Sequence, residues 1–259
     1  KIGQVNFSAM GNFTFARNVI EDQDQPDYIE KYMNRTGQAR WQTFGYVSDG
    51  LFKDEADIAT SPDQSALGEV RPGDIKYKDL NNDGVIDSKD VKAIGYTDVP
   101  EIVYGFGVSA QWKGFDVSVF FQGNAHVSFS INSSMVRGFT EPKMAANNVF
   151  SDIYGNYWTE SNTDAKYPRL TTTEATNNNQ SSDFWLVNGR YIRLKNAEFG
   201  YTFPKRLIQK MRLSQLRVFV SGTNLLTFAP FKLWDPDLQT GASNYPNTRV
   251  ANIGLNIGF

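Results

Sequence analysis

The last ten residues, Val250-Ala-Asn-Ile-Gly-Leu-Asn-Ile-Gly-Phe259, constrain the fold more than any other stretch. Ile253, Leu255, Ile257 and Phe259 share one parity, and Asn252, Gly254, Asn256 and Gly258 share the other. Successive strand side chains point to opposite faces of a sheet, so one face meets something apolar and the other something wet or crowded. The run stops on Phe259 with no polar tail, whereas the ends of soluble domains are usually solvated and frayed.

The same period recurs along the chain. From about Gly3 to Arg17, Val5, Phe7, Ala9, Gly11, Phe13 and Phe15 oppose Asn6, Ser8, Met10, Asn12 and Thr14. Residues 102–112 put Ile102, Tyr104, Phe106, Val108, Ala110 and Trp112 on one face, and Val103, Gly105, Gly107, Ser109 and Gln111 on the other. After a tight reversal at Lys113-Gly114, Phe115, Val117, Val119 and Phe121 alternate with Asp116, Ser118, Phe120 and Gln122, in a strand with room to extend to about Ser130. A further strand runs from Tyr191 to Phe203. Its two halves have opposite parity, which predicts a bulge near Lys195-Asn196. Leu216–Gly222 and Val250–Phe259 complete about six strands.

The connections sort by length. About 19–100, 132–183 and 228–249 are long and polar, while Lys113-Gly114 and the Pro204–Lys210 helical turn are short. Bacterial outer-membrane barrels have short periplasmic turns and long outer loops. With the C-terminus on the periplasmic side, both short turns fall inside and all three long connections outside. Trp112, Phe115, Tyr201, Phe203 and Phe259 then gather at one level, where an aromatic girdle belongs. The competing expectation is a soluble sheet with ordinary core aromatics. Six strands cannot close a barrel, which begins at about eight, and an open wall in lipid would leave edges unpaired. The expected fold is therefore all-β, a transmembrane antiparallel β-barrel to which residues 1–259 contribute the C-terminal portion. The opening on Lys1, directly into a strand and without a signal-peptide pattern, likewise predicts a piece of a longer polypeptide.

Composition removes several classes. The 259 residues carry net charge −2, no Cys and one His. A near-neutral balance gives no electrostatic case for nucleic acid. The lack of Cys excludes disulfides, thiol chemistry and Cys-based metal sites. There is no run of about 18 apolar residues to make a transmembrane helix, but barrel strands alternate and need none.

One motif carries recognisable chemistry. Asp79-x-Asn81-x-Asp83-Gly84-Val85-x-Asp87-x-x-Asp90 has the spacing of a calcium loop. Asp79, Asn81 and Asp83 would offer side-chain oxygens, Val85 its carbonyl and Asp87 a direct or water-mediated contact. Asp90 stands where an EF-hand has Glu, and its shorter reach keeps Mg²⁺ open beside Ca²⁺. The alternative is an Asx-rich turn without an ion. In the longest loop such a site would stiffen the chain, without a catalytic role. Gly105-Phe-Gly107 mimics a dinucleotide fingerprint but lacks the helix that should follow. His126 has no neighbouring acid–nucleophile pattern, and no carboxylate pair stands out, so no enzyme is expected. Trp41, Tyr46, Tyr154, Tyr157, Trp158 and Trp234 are loop aromatics suited to stacking on sugar rings, to packing against a partner protein or to packing locally.

Beyond these readings the chain resembles a known family. Gly73–Asp87, Tyr104-Gly-Phe-Gly107, Trp112–Ser118, Tyr191–Asn196, Gly200–Pro204, Val218–Leu226 and Phe259 are similar, in order and spacing, to the C-terminal third of SusC/RagA-type TonB-dependent outer-membrane transporters of Bacteroidetes. The resemblance implies a barrel of about 22 strands with an N-terminal plug that is absent from these residues. It implies a multi-pass protein of the bacterial outer membrane importing oligosaccharides or peptides. The implied partners are a SusD-like lipoprotein and, through the missing N-terminal part, TonB. Asn252-x-Gly254-x-x-Ile257-x-Phe259 resembles the terminal signal read by the barrel-assembly machinery. The other expectation is a soluble β-domain whose calcium loop, similar to a dockerin loop, serves glycan binding or scaffolding. The two differ in whether Val5, Phe7, Val117, Val119, Ile253, Leu255 and Ile257 face lipid or a second sheet.

Overall fold

Strong alternation yields six long strands: β1 (Asn6–Phe15), β2 (Ile102–Trp112), β3 (Phe115–Ala125), β4 (Tyr191–Thr202), β5 (Gln215–Phe228) and β6 (Val250–Gly258). In this computed structural model, which describes residues 4–137, 139, 149–241 and 243–259, they form one sheet in chain order. Every neighbouring pair is antiparallel. The expected first residue of β1, Gly3, and part of the 132–183 connection lie outside the described residues.

Each turn follows from its residues. Lys113 and Gly114 both have positive φ (48° and 91°), the requirement of a two-residue hairpin loop matching the strand twist. A Cβ at Gly114 would come within 2.6 Å of the Thr202 carbonyl oxygen, so only glycine fits there. Pro204 precedes one helical turn, Lys205–Ile208, and its fixed φ suits that entry. The register of β4 against both neighbours shifts between Leu194 and Asn196, where the change of parity requires it.

The two faces differ as the pattern demands. Phe7, Phe106, Val108, Val117, Phe199, Val220, Ile253, Leu255 and Ile257 are exposed on one face, and among the described residues no second sheet covers them. The opposite face carries Asn12, Ser118, Glu198, Arg217 and Asn252. Several glycines there are roofed by aromatic rings. A Cβ at Gly105 or Gly107 would meet the Phe120 ring at 2.8–2.9 Å.

The apolar core lies elsewhere. Tyr46, Leu51, Ile75, Tyr77, Ile86, Phe129, Ile131, Ile153, Tyr167, Trp185 and Phe231 form one buried cluster drawn from all three long connections. Tyr191, at one end of β4, is the buried apolar side chain of the large sheet among the described residues. Three small ladders organise the connections: Phe44–Gly45 with Lys92–Ala93, Ser48–Leu51 with Ile75–Tyr77, and Ser128–Ser130 with Leu186–Asn188. A buried polar network fastens them. Asn177 and Asn178 reach the backbone of Ile75, and Asp74 binds Asn178 and Arg169. The connections are therefore a folded body rather than the loop-like text their sequence suggests. Two strand limits also differ from expectation. β3 stops at Ala125, where His126 turns to φ 53°, instead of running to Ser130. β5 continues six residues past Gly222, through a left-handed Asn224, to Phe228.

Candidate functional site

The short turns and the long connections occupy opposite ends of the sheet. At the short-turn end Trp112 pairs with Phe115. Phe115 lies 4.5 Å from Tyr201, and Tyr201 lies 5.0 Å from Phe203, ring to ring. The five aromatics expected at one level share that end, with Phe259 following Gly258 opposite Gln215. Phe259 is 94% exposed and Ile257 exposed on the apolar face, while Asn252 and Gly254 face the polar side.

On that polar side, toward the short turns, Arg217 bridges two strands. Its guanidinium donates to Asp116 at 2.5 and 3.1 Å and to Glu198 at 2.5 Å. The three residues carry net charge −1 and tie β3, β4 and β5 together across the wall.

At the other end Arg193 is 1% exposed. It is paired with Asp235 and, at 3.4 Å, with Asp237, and it donates to Thr227 Oγ1 at 3.0 Å. Tyr191 donates to Asp237 at 2.7 Å. Asp235-Pro-Asp237 opens a short 3-10 turn, and Asp235 caps it by accepting the Asp237 amide. The last long connection is thereby pinned against the polar face at its mouth. This cluster was missed in the sequence: Arg193 reads there as one more polar-face residue. The signal that could have found it is the capped Asp-Pro-Asp turn, which leaves two carboxylates needing a cation.

A rim cluster adjoins the mouth. Arg17 makes a bidentate pair with Glu101 at 2.6–2.7 Å, and His126 Nδ1 lies 3.0 Å from the same carboxylate. Tyr96 stacks on the imidazole at 4.6 Å. The Arg17 guanidinium, then His126, hold Glu101 below the usual glutamate range. His126 is thus a rim residue in a tie between β3 and the residue that precedes β2.

The acidic loop is anchored in the connection core by Ile86, which is fully buried. Asp79 accepts the amides of Asn82 at 2.6 Å and Gly84 at 2.8 Å. Asn82 and Gly84 both take positive φ, and Gly84 stands where a calcium loop needs its sharp turn. Asp83 accepts the Asn81 side-chain amide at 2.9 Å and the Val85 N–H at 3.0 Å. Asp87 and Asp90 form a capping box: Asp87 accepts the Lys89 amide, and Asp90 accepts the Asp87 amide at 2.9 Å. Asp90, fully buried, also accepts the Leu80 amide at 2.7 Å. The Asp63–Val85 bridge uses the Gly84 carbonyl and the Ile86 amide, so it leaves the Val85 carbonyl free of that pairing.

Lys89 Nζ sits 3.4 Å from Asp83 and 3.5 Å from Asp87, in the middle of this charge. Those carboxylates raise its pKa, and the Asn81 side chain, first, depresses that of Asp83. Tyr32, which donates to the Lys89 carbonyl, is pushed up to about 12 by burial and then by the surrounding acids. Among the described residues no three His, Cys, Asp or Glu side chains converge as a metal-ligand group. The donor set is nevertheless all oxygen and turns on a glycine, which suits a hard cation.

Of the loop aromatics, Tyr46 belongs to the buried core, and Tyr157, Trp158 and Trp234 pack against it. Trp41 and Tyr154 remain exposed.

An antiparallel meander with one uncovered apolar face, a polar face opposite it and its core in the connections has the organisation of a piece of barrel wall. No protein-family model matches the chain. Its curated relatives include TonB-dependent receptor P3 of Formosa agariphila, 30% identical over 241 residues, covering 87% of this chain and 23% of that protein. Receptor P26 of the same organism is 28% identical over 232 residues, covering 81% and 22%. Among solved structures, the RagAB peptide importer in its closed-closed state superposes with a TM-score of 0.69 at 21% identity, over 100% of this chain and 28% of that one. Its open-open state gives 0.68 at 18% identity. The chain spans between 22 and 28% of the length of the curated relatives it matches. The comparisons support the resemblance drawn from the sequence: this chain is similar to part of a SusC/RagA-type TonB-dependent transporter. Its relatives are named receptors, and none of them an enzyme.

Proposed function

We propose that the chain is the C-terminal wall of a SusC-like importer in the bacterial outer membrane, crossing it several times within a barrel of about 22 strands. The observation that carries this reading is the uncovered apolar face of the six-stranded sheet beside a buried core confined to the connections. A sheet in water buries its apolar face, whereas a sheet in lipid turns it outward. In the soluble alternative Phe7, Val117 and Ile253 need a partner layer, and their exposure favours the first reading.

On this reading the long connections form the extracellular body and meet a SusD-like lipoprotein. The cargo is an oligosaccharide or a peptide, and TonB acts through the part of the protein outside this chain. Asn252, Gly254, Ile257 and Phe259 serve as the signal for the barrel-assembly machinery. Asp79, Asn81, Asp83, Asp87 and Asp90, with the Val85 carbonyl, hold Ca²⁺, or Mg²⁺ in its place. The ion would neutralise the loop's carboxylates, and Lys89 would swing aside for it. Its role is to stiffen the extracellular body.

The test is fractionation of the full-length native protein, followed by identification of what co-purifies in detergent. Recovery in the outer-membrane fraction with a surface lipoprotein supports the proposal. Recovery as a soluble monomer overturns it.

A further inference from the structure

The apolar face of the sheet is interrupted near the long connections by a cleft of about 530 Å³. Tyr104, Ile192 and Phe228 line it from β2, β4 and β5, and Pro230 roofs it from the following connection. Register places these three strand residues on the same face as Phe106 and Val108. Gly123, between Tyr104 and Ile192 in the register, has no side chain, and the Tyr104 ring lies over it. A Cβ there would lie 2.6 Å from the Tyr104 ring carbon Cζ and 2.4 Å from the Tyr191 carbonyl oxygen.

Two cations, Arg190 and Lys232, line the same cleft. Neither side chain has an ion-pair or hydrogen-bond partner among the described residues, although acids are plentiful in this chain. An apolar cleft with two unpaired cations, opening onto a face that meets lipid, is suited to an amphiphile with an anionic head. Phosphate is the anion that membrane lipids carry at this depth, and a guanidinium binds it with two parallel donors. Below the cleft the stacked rings of Phe106 and Phe121, 5.2 Å apart, continue the apolar strip along which an acyl chain can lie.

We propose that this cleft binds a phosphate-bearing lipid of the outer leaflet, with Arg190 and Lys232 on the headgroup and Tyr104, Phe228 and Ile192 against its upper chain. The proposal rests on the outer-membrane reading above. A lipid held there would bridge β2 to β5 at the level where the last long connection leaves the sheet.

The test uses the full-length transporter extracted in mild detergent, with bound lipid read by native mass spectrometry. The parent should retain a phosphorus-containing lipid, and Arg190→Gln with Lys232→Gln should lower retention roughly thirtyfold, in line with the attraction of two interfacial cations to anionic lipid. Lys232 also borders the neighbouring hollows, whereas Arg190 lines this one. Arg190→Gln alone should therefore weaken retention, and Arg249→Gln, on the polar-side hollow, should not. Equal lipid in parent and double variant overturns the proposal. So does release of inorganic phosphate with no lipid mass, which would show a free anion. Loss of the parent itself from the membrane fraction is a different failure, that of the transporter reading.

Discussion

The ring of Phe219 occupies the space that a side chain at Gly254 would need. The two residues pair across β5 and β6, and a Cβ at 254 would come within 2.2 Å of Phe219 Cζ. The terminal pattern specifies a glycine at 254 without a packing reason, and the Phe219 ring supplies one. Overpacking typically costs about 1–3 kcal/mol. Gly254→Val should therefore lower the fraction of protein that migrates as folded barrel on unheated gels. Gly254→Val with Phe219→Ala should recover most of it. No recovery would mean that the glycine is needed for something other than room.

Arg193 is the second close relationship. Removing one partner of a buried ion pair leaves charge uncompensated and costs about 3–5 kcal/mol. Arg193→Leu strands Asp235 and Asp237, so the connection 229–249 should detach from the wall while the strands persist. Hydrogen exchange would show this as faster exchange confined to that connection. Unchanged protection there would remove Arg193 from its clamping role.

These two relationships differ in how far the sequence reveals them. The strands were legible because each writes its own period, and one medium acts on the whole outer face. The bulge was legible because Ile192 and Leu194 change parity against Ala197 and Phe199. The connection body was not. Tyr46, Ile75, Phe129, Trp185 and Phe231 come from three separate stretches, and long-range packing leaves no local period. The acidic loop was legible because Asp79 to Asp90 lie within one turn of chain. Arg193 and Asp235, 42 residues apart, share nothing in sequence that pairs them.

The acidic loop yields a metal prediction. Asp79→Ala with Asp83→Ala should reduce Ca²⁺ content of the purified full-length protein and make the 79–90 segment more sensitive to protease. Removing Ca²⁺ from the parent with a chelator should reproduce the protease sensitivity. Lys89→Ala, which clears the competing ammonium, should raise affinity. Equal metal occupancy in parent and double mutant would discard the site and leave an Asx-rich turn closed by Lys89.

The rim cluster predicts a pH effect of defined sign. Glu101 is held below its ordinary value, chiefly by Arg17. A depressed carboxylate contributes stability that is full above its unfolded pKa, about 4.3 for Glu. The contribution is lost as pH falls through the lower folded value. The Arg17–Glu101 tie should thus hold at neutral pH and weaken in acid below about pH 4. Glu101→Gln should show the weakened rim at pH 7, read as faster hydrogen exchange at the Ala16 amide and at the amide of residue 101, which donates to the His126 carbonyl, and should flatten the acid dependence. A Gln variant with the parent's acid profile would place the titrating group elsewhere.

The terminal residue offers the sharpest separation between packing and assembly. Phe259 follows the last β-ladder residue and is almost wholly exposed, so its deletion removes little folded-state packing within this chain. If Phe259 acts only in the finished fold, the deletion should leave assembly nearly normal. If it is part of the assembly signal, the truncated full-length protein should accumulate unassembled, with less of it in the outer membrane at equal synthesis. Phe259→Tyr, which keeps the ring, should assemble like the parent. We expect the assembly defect. Normal insertion of the truncated protein would remove Phe259 from the signal and leave Ile257 as the hydrophobic position to examine.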